Sequence, residues 1–243
     1  MHRFYVDQLP AEGDEVALPS EDARHALRVL RMRPGEEAEI IGEGKCFSAE
    51  LSRCDEEGVF FRLKSALPGT EPALSITLFQ GLPKGDKMEW IIQKAVELGI
   101  TEIVPVRMSR CVVRLDDRDA AKKLERWQRI VREAGKQSGR CVIPRVCAPC
   151  SLPNLPSLSA KLEARVVPWE EARSGGPKSF FQAHPRLKSL GILIGPEGGI
   201  TPEEIQALSP SFTPITLGPR ILRTETAGLA CAAAFLGIYG EME

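Results

Sequence analysis

The spacing of apolar residues divides the chain into two parts with different patterns. In the first part, short apolar runs at 38–41, 46–51 and 59–63 are separated by turns that contain glycine and acidic residues. Short runs joined in this way predict antiparallel strands that form a small β-barrel. The segment 67–72 contains two prolines and a glycine, and it predicts the linker that ends this first domain.

From residue 73 onward, apolar strand patterns alternate with helical patterns. Helices are predicted at 86–98 and 117–135, and apolar strands at 74–82, 103–106, 164–167, 190–194 and 214–217. Strands that alternate with helices are typical of a mostly parallel sheet covered on both faces. The fold class predicted is therefore α/β, with a small β domain at 1–70 and a larger α/β domain at 73–243.

A short helix with a basic face is predicted before the barrel strands. It begins at Ser20 and ends at Pro34, and its apolar stripe contains Ala23, Leu27 and Leu30. An adjacent face would carry Arg24, Arg28 and Arg31 at the same helical spacing, with His25 among them. These arginines form either a solvated face or a clamp for phosphate groups.

Two glycine-containing segments are the strongest candidates for chemistry. The first, 195–199, follows an apolar strand and precedes Thr201-Pro202-Glu203-Glu204, which predicts a capped helix start. The second, 217–224, precedes an alanine-rich helix that Thr224 could cap. Glycine loops of this kind present backbone groups closely to a ligand, although a single one is as often a simple turn. Two such loops, each at the end of an apolar run, favour a shared pocket.

Composition and charge narrow the function classes. No apolar run approaches the roughly 20 residues that a membrane helix needs, and the first residues lack a signal segment, so we expect a cytoplasmic protein. Seven scattered cysteines argue against a disulfide framework, and one isolated CxxC at 147–150 is too little to predict a metal site. The net charge of −1 hides a basic segment at 107–145, with 12 basic and 5 acidic residues, that suits a phosphate backbone.

Five separated motifs resemble one family of RNA-modifying enzymes. The pair IGPEGGITPEE (194–204) and LGPRILRTETA (217–227) resembles the SPOUT class of trefoil-knotted RNA methyltransferases, and more narrowly the RsmE family. Further matches are LPKGDKMEWIIQKAVELG (82–99), RWQRIVREAGKQSGR (126–140) and RHALRVLRMRPGE (24–36). The resemblance implies an N-terminal PUA-like RNA-binding barrel and a C-terminal SPOUT domain with a trefoil knot.

The resemblance also implies an activity and its partners. RsmE proteins use S-adenosyl-L-methionine to methylate N3 of a uridine in 16S ribosomal RNA, which we expect to be presented within an assembled small subunit. They are homodimers, with the active site near the subunit interface. Two alternatives are a methyltransferase for another RNA position, such as a ribose 2′-O, and a non-catalytic RNA-binding module for ribosome assembly.

The implied site residues fall into three groups. Removal of the N3 proton requires a base, for which Glu197 and Glu225 are candidates, or a cation such as Arg223 or Arg140 that stabilises the imide anion. Glu225 could equally be an acidic residue that complements the helix dipole. Contacts to RNA are expected from Arg24, His25, Arg28, Arg31, Arg110 and Arg140. The cofactor pocket is expected to contain Val167, Pro168, Ile194, Gly195, Pro196, Glu197, Gly198, Gly199, Leu217, Gly218, Ile221, Leu222, Arg223 and Thr224.

Overall fold

Two compact units make up the part of the chain that the computed structural model describes, residues 1–242. The first unit contains Met1–Glu71 and also Gly135–Ile143. The second unit begins at Pro72 and contains the remaining described residues. The segment 135–143 therefore packs with the first unit although it lies far from it in sequence.

The first unit is built on a five-stranded mixed sheet with the strand order β1-β3-β4-β5-β2. β1 pairs with β3 in parallel, and the other neighbours are antiparallel. Apolar side chains on one face form its core, with Phe4, Ile40, Leu51 and Phe61 almost fully buried. The strands are β1 (His2–Tyr5), β2 (Glu15–Ala17), β3 (Glu37–Gly42), β4 (Lys45–Asp55) and β5 (Gly58–Leu67).

The basic helix differs from its prediction in two ways. Helix α1 (Ser20–Arg24) continues as a π-helical turn (His25–Val29), which is wider than an α-helix and changes which side chains face the core. Ala26 is consequently buried, whereas Leu27, which we predicted in the apolar stripe, is exposed. Arg31 lies beyond the helix with φ of 57°, so helical spacing does not place it in line with Arg24.

The second unit contains the predicted parallel sheet, and every strand pair in it is parallel. The strand order is β12-β10-β11-β6-β7-β8, with β9 also paired to β7. The strands are β6 (Ser75–Gly81), β7 (Glu102–Arg107), β8 (Arg145–Val146), β9 (Cys150–Ser151), β10 (Ala164–Pro168), β11 (Ser189–Ile194) and β12 (Thr213–Ile215). The helices after α1 are α2 (Lys87–Glu97), α3 (Asp117–Ser138), α4 (Leu155–Leu158), α5 (Pro177–Ala183), α6 (Pro202–Leu208) and α7 (Thr224–Ile238).

Helix α3 is longer than its pattern predicted, because Gly135 lies inside it. The helix continues to Ser138, and Gly139 ends it with φ of 70°, a left-handed conformation that glycine adopts readily. Its apolar side is buried as expected, with Trp127 and Val131 nearly inaccessible. The charged residues on the opposite side are exposed.

The parallel sheet determines where the functional loops meet. Since parallel strands have their carboxyl ends at one edge, the segments that follow β6, β10, β11 and β12 emerge together. Helix α7 then returns from the end of the chain to pack on β6, β11, α2 and α5. Both glycine-containing segments lie at this edge, because one follows β11 and the other follows β12. The knot implied by the resemblance stays a prediction. Within residues 1–242 no helix has the length and apolar character needed to cross a bilayer.

Candidate active site

Two adjoining cavities lie at the carboxyl edge of the parallel sheet. Their volumes are about 410 and 430 Å³, and they share Pro168, Glu170, Ile221, Leu222 and Ala227. The first cavity is lined mainly by 168–173 and 216–222, and the second by 194–200 and 221–225. Together they form a cleft of a size that suits a small-molecule ligand. We refer to both cavities together as the cleft.

The glycine loop after β11 has room only for glycine at several positions. A Cβ at Gly195 would lie 2.7 Å from the Ile200 side chain and 3.1 Å from the Gly199 backbone. A Cβ at Gly198 would lie 2.9 Å from the Cβ of Arg110, and Gly199 has φ of 73°. The Arg110 guanidinium donates a 2.8 Å hydrogen bond to the Gly198 carbonyl. The loop is therefore held by Arg110, which lies outside it in sequence, as well as by its own turn.

The predicted capping box follows this loop and fixes the start of α6. The Thr201 hydroxyl accepts a hydrogen bond from the Glu204 backbone N–H at 3.2 Å, and the Glu204 carboxylate accepts one from the Thr201 N–H at 3.0 Å. The second Glu204 oxygen accepts a 2.9 Å hydrogen bond from the Ser109 N–H. The exit of the glycine loop is thus tied to the segment after β7.

Thr224 has a different role from the helix cap that we predicted. It is the first residue of α7, and Arg223 occupies the cap position. Its hydroxyl donates a 2.6 Å hydrogen bond to the Gly195 carbonyl and accepts one of 2.9 Å from the Gln80 amide. Gln80 is fully buried at the end of β6. One hydroxyl thus joins β6, the glycine loop and α7.

A lysine that sequence reasoning missed connects the two candidate bases. The Lys87 ammonium lies 3.0 Å from Glu197 Oε1 and 3.2 Å from Glu225 Oε2. The Lys84 N–H also donates to Glu197, at 3.0 Å. A lysine in the first turn of a helix opposes the helix dipole, and this unusual placement was the available sequence signal.

Both candidate bases have a lowered pKa. Burial raises the pKa of Glu197, but hydrogen bonds from Lys87 and from backbone N–H groups outweigh it and leave the pKa below its usual value. The backbone N–H at the start of α7 lowers the pKa of Glu225, and Lys87 and Arg223 lower it further. The ion pairs with Lys87 stabilise the negative charge of both carboxylates.

Nearly all the cofactor residues expected from the sequence line the cleft. The exception is Val167, which is fully buried in the core that contains Phe79 and Leu193. Arg223 is exposed and lines the second cavity. Glu170 and Lys87 line it as well, although the sequence motifs did not indicate them. Among the described residues no cluster of three His, Cys, Asp or Glu could hold a metal ion.

The residues expected to contact RNA lie in different settings. Arg24, His25, Arg28 and Arg31 are exposed in the first unit. Arg140 is in the same unit but is only 3% exposed, and its guanidinium pairs with Glu71 through bonds of 2.5 to 3.0 Å.

Two family descriptions match the chain. Residues 70–236 match an RNA methyltransferase domain, and residues 18–64 match an RNA methyltransferase PUA domain. The first match covers most of the second unit and includes both glycine-containing segments. The second match lies within the first unit and includes the exposed arginines of α1 and its π-helical turn.

Curated relatives and solved structures match over nearly the whole chain. The chain is 36% identical to the ribosomal RNA small subunit methyltransferase E of Bacillus subtilis (strain 168), over 96% of this chain and 95% of the relative. The enzyme of the same description from Mycobacterium bovis is 34% identical, over 98% and 90%. The enzyme of Neisseria gonorrhoeae, solved bound to S-adenosyl methionine, has 36% identity and a TM-score of 0.82 over 98% of both chains. A Legionella pneumophila methyltransferase solved with the cofactor SAM has 34% identity and a TM-score of 0.79, over 97% and 96%.

Proposed function

Because this chain belongs to the RsmE family of ribosomal RNA small subunit methyltransferases, we propose that it methylates N3 of one uridine in 16S ribosomal RNA. The coarser activity, S-adenosylmethionine-dependent methylation of small-subunit ribosomal RNA, follows from the family. The observation in this chain that supports a methyltransferase is the cleft between the loop 195–199 and the segment 217–224, and the N3 position is proposed from membership of the family.

The cleft is the proposed cofactor site. The glycine loop offers backbone N–H and C=O groups without side-chain bulk, which suits recognition of the adenine and ribose. Ile221 and Leu222 offer apolar contact on the other side of the cleft. All the predicted cofactor residues except Val167 line the cleft, which supports this proposal. Val167 supports them from the core, because it lies directly before Pro168, which lines both cavities.

Methyl transfer chiefly requires that donor and acceptor be positioned in line. Uridine N3 carries a weakly acidic proton that must leave before or during the attack on the methyl carbon. Glu197 and Glu225 both pair with the Lys87 ammonium, so the proposal is that the N3 proton passes to solvent water while a cation stabilises the imide anion that remains. Arg223, exposed in the second cavity, is the residue proposed for that role.

Exposed cations support RNA as the macromolecular partner. In the first unit they are Arg24, Arg28 and Arg31, and His25 is exposed beside them. Helix α3 presents Arg118, Lys122, Arg129 and Arg132 on its exposed side. Such groups bind phosphates without reading sequence, so affinity should fall steeply as salt is raised. Arg140 is buried against Glu71, and we assign it to the stability of the first unit.

Two further properties are proposed on the basis of family membership. The first is a homodimer, supported by the half-buried alanines of α7, Ala230 and Ala234, that line a groove beside Leu217. A specific dimer interface would bury on the order of 1,200 Å² or more. Light scattering that shows a monomer at micromolar concentrations would remove this proposal. The second is a cytoplasmic location. The substrate proposed there is the assembled small subunit.

The decisive experiment identifies the methylated nucleoside. Small-subunit particles and free 16S RNA from a source that lacks the modification are treated with the protein and labelled S-adenosylmethionine, digested to nucleosides and separated. The expected product is 3-methyluridine, with more label in particles than in free RNA. A 2′-O-methylated nucleoside would reject the N3 proposal and show that the protein is a ribose 2′-O methyltransferase. Cofactor binding without incorporation into either substrate would favour a non-catalytic assembly role.

A further inference from the structure

The inference concerns Lys87 and rests on the proposed cofactor site. Lys87 is the first residue of α2, and it lines the second cavity beside the glycine loop and the start of α7. These two segments are separated by more than twenty residues in sequence, and each contributes one carboxylate to the same ammonium group. We propose that Lys87 is a positioning residue that holds the loop 195–199 and the first turn of α7 at a fixed spacing for the cofactor.

The argument begins with the charge on the two carboxylates. Glu197 and Glu225 both lie within 3.2 Å of one ammonium group, so without it two negative charges would face each other. Two carboxylates that share one ammonium repel each other once it is removed, and the repulsion is relieved if one carboxylate takes up a proton, if one side chain rotates away or if the segments move apart. Each of these changes would alter the lining of the second cavity, because both glutamates belong to it.

Partial burial limits how well water can replace the ammonium group. The side chains of Lys87, Glu197 and Glu225 are 32, 28 and 20% exposed. Glu225 Oε2 is inaccessible and has no aligned hydrogen bond within the described chain, so the ammonium 3.2 Å away is the charge that compensates it. An uncompensated buried carboxylate oxygen is costly. Arg223 also acts on Glu225, and the Lys84 N–H acts on Glu197, so some stabilisation remains when Lys87 is removed.

The test measures binding of S-adenosylmethionine and of its product S-adenosylhomocysteine by calorimetry. Lys87→Met removes the ammonium, and Lys87→Arg retains a cation. Lys94→Met is the matched control, since Lys94 is on the same helix, is similarly exposed and pairs with Glu97 within that helix. Lys87→Met/Glu225→Gln removes the ammonium together with one of the two charges that it separates, and it is compared with Glu225→Gln alone.

At about pH 8, Lys87→Met should weaken binding of both ligands about tenfold relative to wild type, with Lys94→Met unchanged and Lys87→Arg partly restored. The ratio to wild type should shrink as the pH is lowered, because protonation of one carboxylate removes the repulsion. The double variant Lys87→Met/Glu225→Gln should likewise bind both ligands with an affinity closer to that of Glu225→Gln alone. A smaller affinity loss at low pH and in the presence of Glu225→Gln is expected if the Lys87 ammonium acts by separating two negative charges. The loss of an unrelated structural contact would produce neither result.

Three results would overturn the proposal. One is wild-type affinity in Lys87→Met at about pH 8. Another is a loss that neither low pH nor Glu225→Gln relieves. The third is a loss for S-adenosylmethionine alone, since positioning affects both ligands equally and a direct contact to the sulfonium or methyl group does not. Failure of the wild-type protein to bind either ligand is a separate outcome, because it would reject the proposed function itself.

Discussion

The two sides of the cleft contain similar sequence motifs but are built differently. On one side, the loop 195–199 is held by hydrogen bonds from Arg110 to Gly198, from Lys84 to Glu197 and from Thr224 to Gly195. On the other side, the segment 217–223 leaves Ile221 87% exposed, and a Cβ added to Gly218 would meet no atom of residues 1–242 within 4 Å. We call these the fixed side and the open side.

The difference teaches why each side contains glycine. On the fixed side the neighbours leave no space for a Cβ, so glycine allows close packing. On the open side space is plentiful, and glycine is favoured by φ of 97° at Gly218. A fixed side is preorganised for a ligand, whereas an open side can adapt to it. Substitutions on the two sides should therefore have effects of different size and kind.

The largest effect is expected from Gly81→Ala, which disturbs the fixed side from beneath. The added Cβ would lie 2.7 Å from the Pro196 nitrogen and 3.0 Å from the Gly195 carbonyl carbon, and neither backbone atom can rotate away. The loop must shift, so the free energy of unfolding should fall by about 2–3 kcal/mol. Cofactor affinity should fall at least tenfold. Urea denaturation and calorimetry measure the two effects.

Gly237→Ala is the control for that substitution. Gly237 lies within α7, where an added Cβ would meet no described residue within 4 Å, so alanine should stabilise the helix by about 0.5–1 kcal/mol. If Gly81→Ala were as stable as this control and bound the cofactor normally, the loop would not be fixed.

Thr224→Val should have the next largest effect. Valine keeps the shape of the side chain but removes the hydroxyl that donates to the Gly195 carbonyl and accepts from Gln80. Buried groups left without a partner should lower the free energy of unfolding by about 2 kcal/mol, and cofactor affinity should fall with it. Thr224→Ser keeps the hydroxyl and should lose far less in parallel denaturation and binding measurements. Wild-type stability and affinity in Thr224→Val would show that the hydroxyl does not hold these segments together.

On the open side, Gly218→Ala should cost only backbone strain. An L-residue with φ of 97° is disfavoured by about 1 kcal/mol, and the open space around it prevents a steric clash. We expect thermal denaturation to show a small loss of stability, with a smaller loss for Gly218→Asn because asparagine tolerates positive φ better. A loss as large as that of Gly81→Ala would mean that this segment is as tightly packed as the loop.

The smallest effect on stability is expected from Ile221→Ala. An 87% exposed side chain contributes little to folding, so the free energy of unfolding should change by less than about 0.5 kcal/mol. Cofactor affinity should nevertheless fall a few-fold, because ligand binding would cover this side chain. Denaturation measures the free energy of unfolding, and calorimetry on the same preparation measures cofactor affinity. Unchanged affinity would remove Ile221 from the cofactor site.

The sequence predicted those features of the cleft that depend on local pattern. Apolar runs predicted β6 and β11, and Thr201 with Glu204 predicted the capping box, because each rests on residues that are near in sequence. Thr224 was misassigned, since a threonine before a helix is normally its cap, whereas here two bonds to distant segments determine its position.

The features that the sequence did not predict depend on contacts between distant segments. Gln80 lies in an apolar run that gives no sign of a partner 144 residues later. The role of Lys87 depends likewise on two carboxylates more than a hundred residues away. Helical periodicity also failed at Leu27, because the π-helical turn changes the side that is buried.

The bonds of Thr224 have a consequence for the order in which the molecule can form. Segments around Gln80 and Gly195 are synthesised well before α7, yet the hydroxyl that joins them arrives with α7. Contacts of such long sequence separation make folding slow, and domains generally fold only once their parts have emerged from the ribosome. A nascent chain that ends before residue 224 has the sheet strands and both sides of the cleft, but it lacks the hydroxyl that ties the glycine loop to β6. Cofactor binding at the proposed site would therefore report that α7 has been made and has docked, which is a late step in the biogenesis of this protein.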